Sequence, residues 1–142
     1  MDGNGKERTG AAPNHPGDCP FCRPDRSRVV ASNDHALALR DHYPLAQGHT
    51  LVVPRRHVAS FFDLDEAERA SAWQLAAEIH GRLRRELQPD GVNLGINDGE
   101  AAGQTVLHAH LHIIPRFRGD VPDPRGGVRW VLPAKAAYWK DG

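Results

Sequence analysis

Residues 108–115 read His-Ala-His-Leu-His-Ile-Ile-Pro, and the first six alternate polar and apolar with a period of two. A strand sends successive side chains to opposite faces. His108, His110 and His112 are therefore expected on one face, about 6.6 Å apart along the strand. Ala109, Leu111 and Ile113 are expected on the other, facing a core. A strand with one apolar face has to sit in a sheet that a second layer covers.

Three imidazoles in one row form a concentrated acid–base and ligand surface near neutral pH. Three readings are open: an exposed polar face, a metal site using all three rings, or a split role in which one ring is a ligand and the others do chemistry. The split role fits best, because adjacent rings on one strand share a metal only with particular rotamers. Just upstream, Gly103-Gln104-Thr105 suits a close backbone approach to a phosphate, where turn N–H groups form an anion nest.

The covering layer is legible too. Asp63 and Asp65 each have a glutamate three residues later, Glu66 and Glu68, which is the capping-box pattern. From there to about Leu87, the residues Ala72, Leu75, Ala76, Ile79, Leu83 and Leu87 recur at helical spacing. Pro89 and Gly91 stop the helix. Trp73 falls beside this stripe, in the core or at an interface. Short strands are expected at 29–32 and 35–40 around the Asn33-Asp34 turn, at 50–53 before Pro54, at 91–96, and at 108–114 before Pro115. Residues 97–105 read as a loop. The fold class is α+β: an antiparallel sheet, one main amphipathic helix and an irregular C-terminal arm.

The chain of 142 residues fits one domain. Residues 1–17 read as a disordered leader containing an inert His15, 18–118 as the domain, and 119–142 as a tail packing on the domain or a dimer partner. Lys plus Arg equal Asp plus Glu at 18 each, so no global positive charge favours nucleic acid, and none is expected as a partner. No stretch has the ~20 apolar residues that span a bilayer, and the N-terminal residues carry no apolar signal segment. A cytoplasmic chain without a membrane partner is expected. Its two cysteines, Cys19 and Cys22, make a CxxC that is open to zinc binding, redox chemistry or inert burial. The flanks lack the strand before and helix after that thioredoxin-like chemistry wants.

The segment NDGEAAGQTVLHAHLHIIPR resembles the signature of the histidine triad (HIT) nucleotide hydrolases and transferases, and LRDHYPLAQGHTLVVPRRH resembles the same family's first strand pair. The two blocks occur in order with a helix between them. The resemblance covers roughly residues 19–118 and points to the zinc-containing bacterial type. It implies a HIT-like fold and a nucleotide substrate, with a purine expected. His110 would attack the α-phosphorus and form a covalent nucleotidyl-imidazole that water hydrolyses. The backbone carbonyl of His108 would hold His110, and His112 would contact phosphate and leaving group. A glutamine stands at that last position in the related uridylyltransferases, so His112 favours a hydrolase. Asn97, Gln104 and Thr105 would bind phosphate, Asp41 the ribose hydroxyls, and Leu39 would begin the base pocket. His49 would support the triad.

The resemblance also implies a structural zinc held by Cys19, Cys22, His57 and His108, with no open position for catalysis, and a homodimer. The tail departs from the signature. Arg125, Arg129 and Trp130 would either contact a substrate or anchor an irregular arm. The expected function is hydrolysis of a nucleoside phosphoramidate or dinucleoside polyphosphate. The alternatives are a nucleotidyl transferase or phosphorylase, and a slowly turning over, zinc-stabilised nucleotide-binding protein.

Overall fold

Asn33 makes the first reversal of the chain. Its side-chain oxygen accepts from the backbone of Ala36 at 3.0 Å and from the Ser71 hydroxyl, and its amide donates to the Ser71 carbonyl at 2.7 Å. One turn residue thus joins a hairpin to the helix. The strands it connects are β1, Val29–Ser32, and β2, Ala36–Arg40. The expected start of β2 at 35 is one residue early, because the His35 N–H turns toward the Ser71 hydroxyl at 3.2 Å. The computed structural model describes residues 16–140. Most of the expected leader, with His15, lies outside them, while Pro16–Asp18 form a 3-10 turn.

Three more strands complete the sheet: β3 (Thr50–Pro54), β4 (Gly91–Ile96) and β5 (Leu111–Arg116). Their order is β1-β2-β3-β5-β4, and every neighbouring pair is antiparallel. Of the two prolines expected to end strands, Pro54 is the last residue of β3, whereas Pro115 lies inside β5, which runs on to Arg116. Pro54 pairs with Ala36 at the very end of its ladder. Pro115 pairs with Val92 of β4 but lies beyond the pairing of β5 with β3, so on that side no described strand needs its N–H.

Helix α1, Glu66–Leu87, covers one face. Of the two possible capping boxes, Asp65 and Glu68 form the real one: the Glu68 N–H donates to Asp65 at 2.8 Å and the Asp65 N–H to Glu68 at 2.9 Å. The Arg56 guanidinium adds a fork onto the same Glu68 carboxylate, at 2.8 and 2.9 Å. The expected stripe is buried from Ala72 to Leu83, with Leu87 half-buried at its end: Ala72, Leu75, Ala76, Ile79 and Leu83 pack on Ala36, Ala38, Val52, Leu111 and Ile113. Each large member contributes about 1.5–3 kcal/mol by leaving water. Trp73 is 60% exposed, which excludes it from this core.

Alternation sends the other strand residues to the opposite face. There Leu39, Leu51 and Val53 meet Cys19 and Phe21 from the N-terminal arm. All five residues of β3 are buried, because helix lies on one side of it and the arm on the other.

The C-terminal arm is irregular, with turns at Gly127–Val131 and Tyr138–Lys140 around a one-turn helix α2, Pro133–Ala136. It folds largely on itself. Arg125 pairs with Asp123 and lies over Trp139 at 4.5 Å, Arg129 lies over Tyr138 at 4.7 Å, and the Trp130 indole donates to the Arg125 carbonyl at 2.8 Å. Among the described residues no helix is long and apolar enough to cross a membrane.

Candidate active site

The alternation holds in its facing from Ala109 to Ile113, but not at His108 and not throughout in its pairing. The expected strand at 108–114 joins the sheet only at Leu111. Before that, the Ala109 N–H is taken by the Val58 carbonyl at 2.7 Å, and the chain leaves the ladder. Ala109, Leu111 and Ile113 face the core as expected. His108 turns away from the other two histidines toward the cysteine arm.

His110 and His112 stay together, with ring centroids 5.2 Å apart. His110 Nδ1 is 2.8 Å from the His108 carbonyl oxygen. A carbonyl only accepts, so Nδ1 carries the proton and Nε2 carries a lone pair. Burial pushes the pKa of His110 down, against the pull of that hydrogen bond. The ring is held neutral, in the tautomer a nucleophile needs.

The tautomer of His112 is set from further away. The Leu45 N–H donates to His49 Nδ1 at 3.0 Å. A neutral His49 therefore bears its proton on Nε2, which lies 3.0 Å from His112 Nδ1 and 3.3 Å from Asp41 Oδ2. With His112 Nδ1 accepting, its Nε2–H is a donor. Burial, then the neighbouring His110 and His49, push the pKa of His112 down to about 4. Asp41, His49 and His112 converge closely enough to suggest a metal triangle. A metal on His49 Nε2 would force a proton onto Nδ1, directly opposite the Leu45 N–H. The triangle is therefore a hydrogen-bond relay.

His110 and His112 line a pocket of about 640 Å³, together with Asp41, Asn97, Gly103, Thr105 and Leu39. That volume suits a small ligand. Gly103 holds φ at +97°, a conformation that favours glycine, and this brings the loop backbone to the pocket wall. Gln104 is not in the lining. Its oxygen accepts from the Gly99 N–H at 2.9 Å and its amide donates to the Ala59 and Val106 carbonyls, so it braces the loop from behind. Arg125, Arg129 and Trp130 lie away from this pocket.

Sequence reasoning missed Phe21, Leu51, Tyr43 and Arg28, all of which line it. A signal existed for Leu51, which shares strand parity with His49. Phe21 stands between the two cysteines of the CxxC, and its ring packs edge-on to His110 at 5.0 Å.

Cys19, Cys22, His57 and His108 converge on the far side of Phe21. Cys19 Sγ is 3.4 Å from His108 Nδ1, Cys22 Sγ is 3.2 Å from His57 Nδ1, and the two Nδ1 atoms are 3.2 Å apart. Tetrahedral bonds of about 2.3 Å to sulfur and 2.0–2.1 Å to nitrogen give ligand–ligand edges of roughly 3.3–3.8 Å. The four donors fit such an ion. Burial, then the neighbouring Cys19, push the Cys22 thiol up to about 11, so this pair calls for a positive charge to become thiolate. His108 Nε2 lies 2.7 Å from the Pro54 carbonyl, the kind of hydrogen bond that would orient the ring as a metal ligand.

Comparison with known proteins agrees with this geometry. The HIT domain model matches residues 24–119. An uncharacterized HIT-like protein of Mycoplasma genitalium is 39% identical over 103 residues, covering 70% of this chain and 73% of its own. A bis(5'-adenosyl)-triphosphatase of Dictyostelium discoideum is 37% identical over 95 residues, covering 67% and 64%. Among solved structures, a zinc-bound histidine triad family protein from Mycobacterium smegmatis aligns with a TM-score of 0.61 at 32% identity, covering 89% of this chain and 91% of that one. The chain belongs to the HIT superfamily of nucleotide-binding proteins.

Proposed function

We propose that the pocket hydrolyses a nucleotide at its α-phosphorus, the substrate being a nucleoside phosphoramidate or a dinucleoside polyphosphate. One observation carries this reading: the bond from His110 Nδ1 to the His108 carbonyl leaves a neutral Nε2 lone pair at the pocket. That lone pair attacks phosphorus, and the bond to the leaving group breaks. A phosphate leaves as an anion. An amine leaves with a proton it took from solvent beforehand. His112 Nε2–H donates a hydrogen bond to the departing atom, Asn97 and Thr105 donate to the phosphate oxygens, and Asp41 accepts from ribose hydroxyls. Water then attacks phosphorus and releases its proton to solvent, and the electron pair of the P–N bond returns to Nε2. The triphosphatase among the similar proteins supports the dinucleoside option.

Cys19, Cys22, His57 and His108 hold a structural zinc in this reading, as the zinc-bound relative supports. When bound, the ion neutralises the thiolates and pins the arm to the sheet. The chain's own residues then fix Phe21 against His110 and aim the His108 carbonyl. We place the protein in the cytoplasm as a homodimer without nucleic-acid partners. Edge strand β4, which has only β5 as a neighbour among the described residues, supports self-association, and sedimentation of the purified chain tests it.

The functional test is steady-state hydrolysis of an adenosine phosphoramidate and a dinucleoside tetraphosphate, with His110→Ala as control. His110-dependent turnover, with an acid-labile nucleotidyl adduct on the parent chain, is expected. Equal rates in parent and variant overturn the nucleophile assignment.

A further inference from the structure

The register of the sheet lays out a row of side chains across the pocket floor. Val29 pairs with Leu39, Leu39 with Leu51, and Leu51 with His112. Neighbouring strands lie about 4.8 Å apart, so the row from β1 to β5 is about 14 Å long. One end is the phosphorus-attacking side of the pocket. The middle is apolar, with Leu39 and Leu51 as floor and Phe21 beside them. That stretch suits the face of a base and disfavours a phosphate chain.

Arg28 precedes Val29, so it stands at the far end of this row, and it lines the same pocket. Its Nε is buried and has no hydrogen-bond partner among the described residues. Asp25 attracts it by charge, but Asp25 Oδ1 already accepts from the Ser27 N–H and hydroxyl. The other arginine of the lining, Arg40, is committed to the Gly48 carbonyl and the Thr50 hydroxyl. The terminal nitrogens of Arg28 make no hydrogen bond to another described residue, so Arg28 brings a planar pair of donors to the place where the outer edge of a base would lie.

We propose that Arg28 is a specificity-determining residue that reads the base and selects a 6-oxopurine, guanine, over adenine. This rests on the reading of the pocket as a nucleotide site. Guanine presents two adjacent acceptors, O6 and N7, which match the arginine fork. Adenine presents one acceptor beside an amino donor that faces the fork donor to donor. Such a pair discriminates by about tenfold to a hundredfold.

The test is calorimetric titration of the full chain with GMP and with AMP, for the parent, Arg28→Ala and Arg28→Lys. The parent is expected to bind GMP at least tenfold more tightly. Arg28→Ala erases that preference by weakening GMP more than AMP, and Arg28→Lys, which keeps the charge but loses the fork, retains only part of it. Equal affinities in the parent, binding of neither nucleotide, or a preference that survives Arg28→Ala overturns the proposal. So does an equal loss for both nucleotides, which would mark a charge contact to phosphate. His110-dependent turnover of the guanosine and adenosine phosphoramidates decides the underlying reading of the pocket separately.

Discussion

Gly48 turns the chain into β3 just before His49, with φ at +89°. A methyl group there would sit 2.6 Å from Leu87 Cδ1, 2.9 Å from Leu83 Cδ2 and 3.4 Å from Pro115 Cγ. Leu83 and Pro115 are fully buried, so only Leu87 has room to move. Gly48→Ala therefore combines two costs. The left-handed backbone costs about 1–2 kcal/mol for a residue with a Cβ, and overpacking costs about 1–3 kcal/mol. The stiffer unfolded chain returns about 0.4–1 kcal/mol. The net is a destabilisation of about 3 kcal/mol, a large part of the ~5–15 kcal/mol that holds a domain together. Urea unfolding measures it. In a Leu87→Ala background the steric part shrinks, so the cost of Gly48→Ala should fall by about 1 kcal/mol or more, the size of coupling seen between contacting residues. A Gly48→Ala variant within about 0.5 kcal/mol of the parent, the range of an ordinary surface change, would refute the argument. Strict additivity with Leu87→Ala would refute its steric half.

Three further outcomes are expected. His49→Phe keeps the packing but removes the relay that fixes the His112 tautomer, so kcat should fall by about 10–100-fold with KM little changed; a shift in KM alone would speak against the relay. Cys19→Ala should lose bound zinc and lower the melting temperature more than it lowers the chemical step in single-turnover assays, and equal metal content in variant and parent would contradict the ligand set. Glu68 is held at about 2, from an ordinary 4.5, first by the Arg56 guanidinium and then by the Asp65 N–H. Its folded pKa is depressed, so its stabilisation is complete above about pH 4.5 and is lost as pH falls toward 2. Stability curves of the parent and Glu68→Gln should converge over that window, and a constant offset would exclude the ion pair as the cause.

The fold was legible wherever a period could be read. The stripe from Ala72 to Leu87 identified α1, and the alternation from Ala109 to Ile113 identified the core side of β5. The capping pattern located the helix start to within two residues, because Asp63 and Asp65 both satisfied it and only Asp65 meets Glu68. The proline stop held at 54, the last residue of β3, but not at 115, where β5 runs on to Arg116, since a proline's missing N–H matters only where a neighbouring strand asks for it.

Residue identity determined which chemistry this chain can hold: two thiols, a row of imidazoles and a loop with a glycine at the required turn. Tertiary structure decided what each group does. Gln104 and Thr105 are adjacent in sequence, yet one braces the loop and the other lines the pocket. His108 and His110 are two residues apart, yet one joins cysteines 89 and 86 residues away and the other stays at the pocket. The tautomer of His112 depends on the N–H of Leu45, through a ring 63 residues distant in the chain. Such roles follow from hydrogen bonds between strands and loops that meet only after the sheet has closed, and no local pattern encodes that meeting.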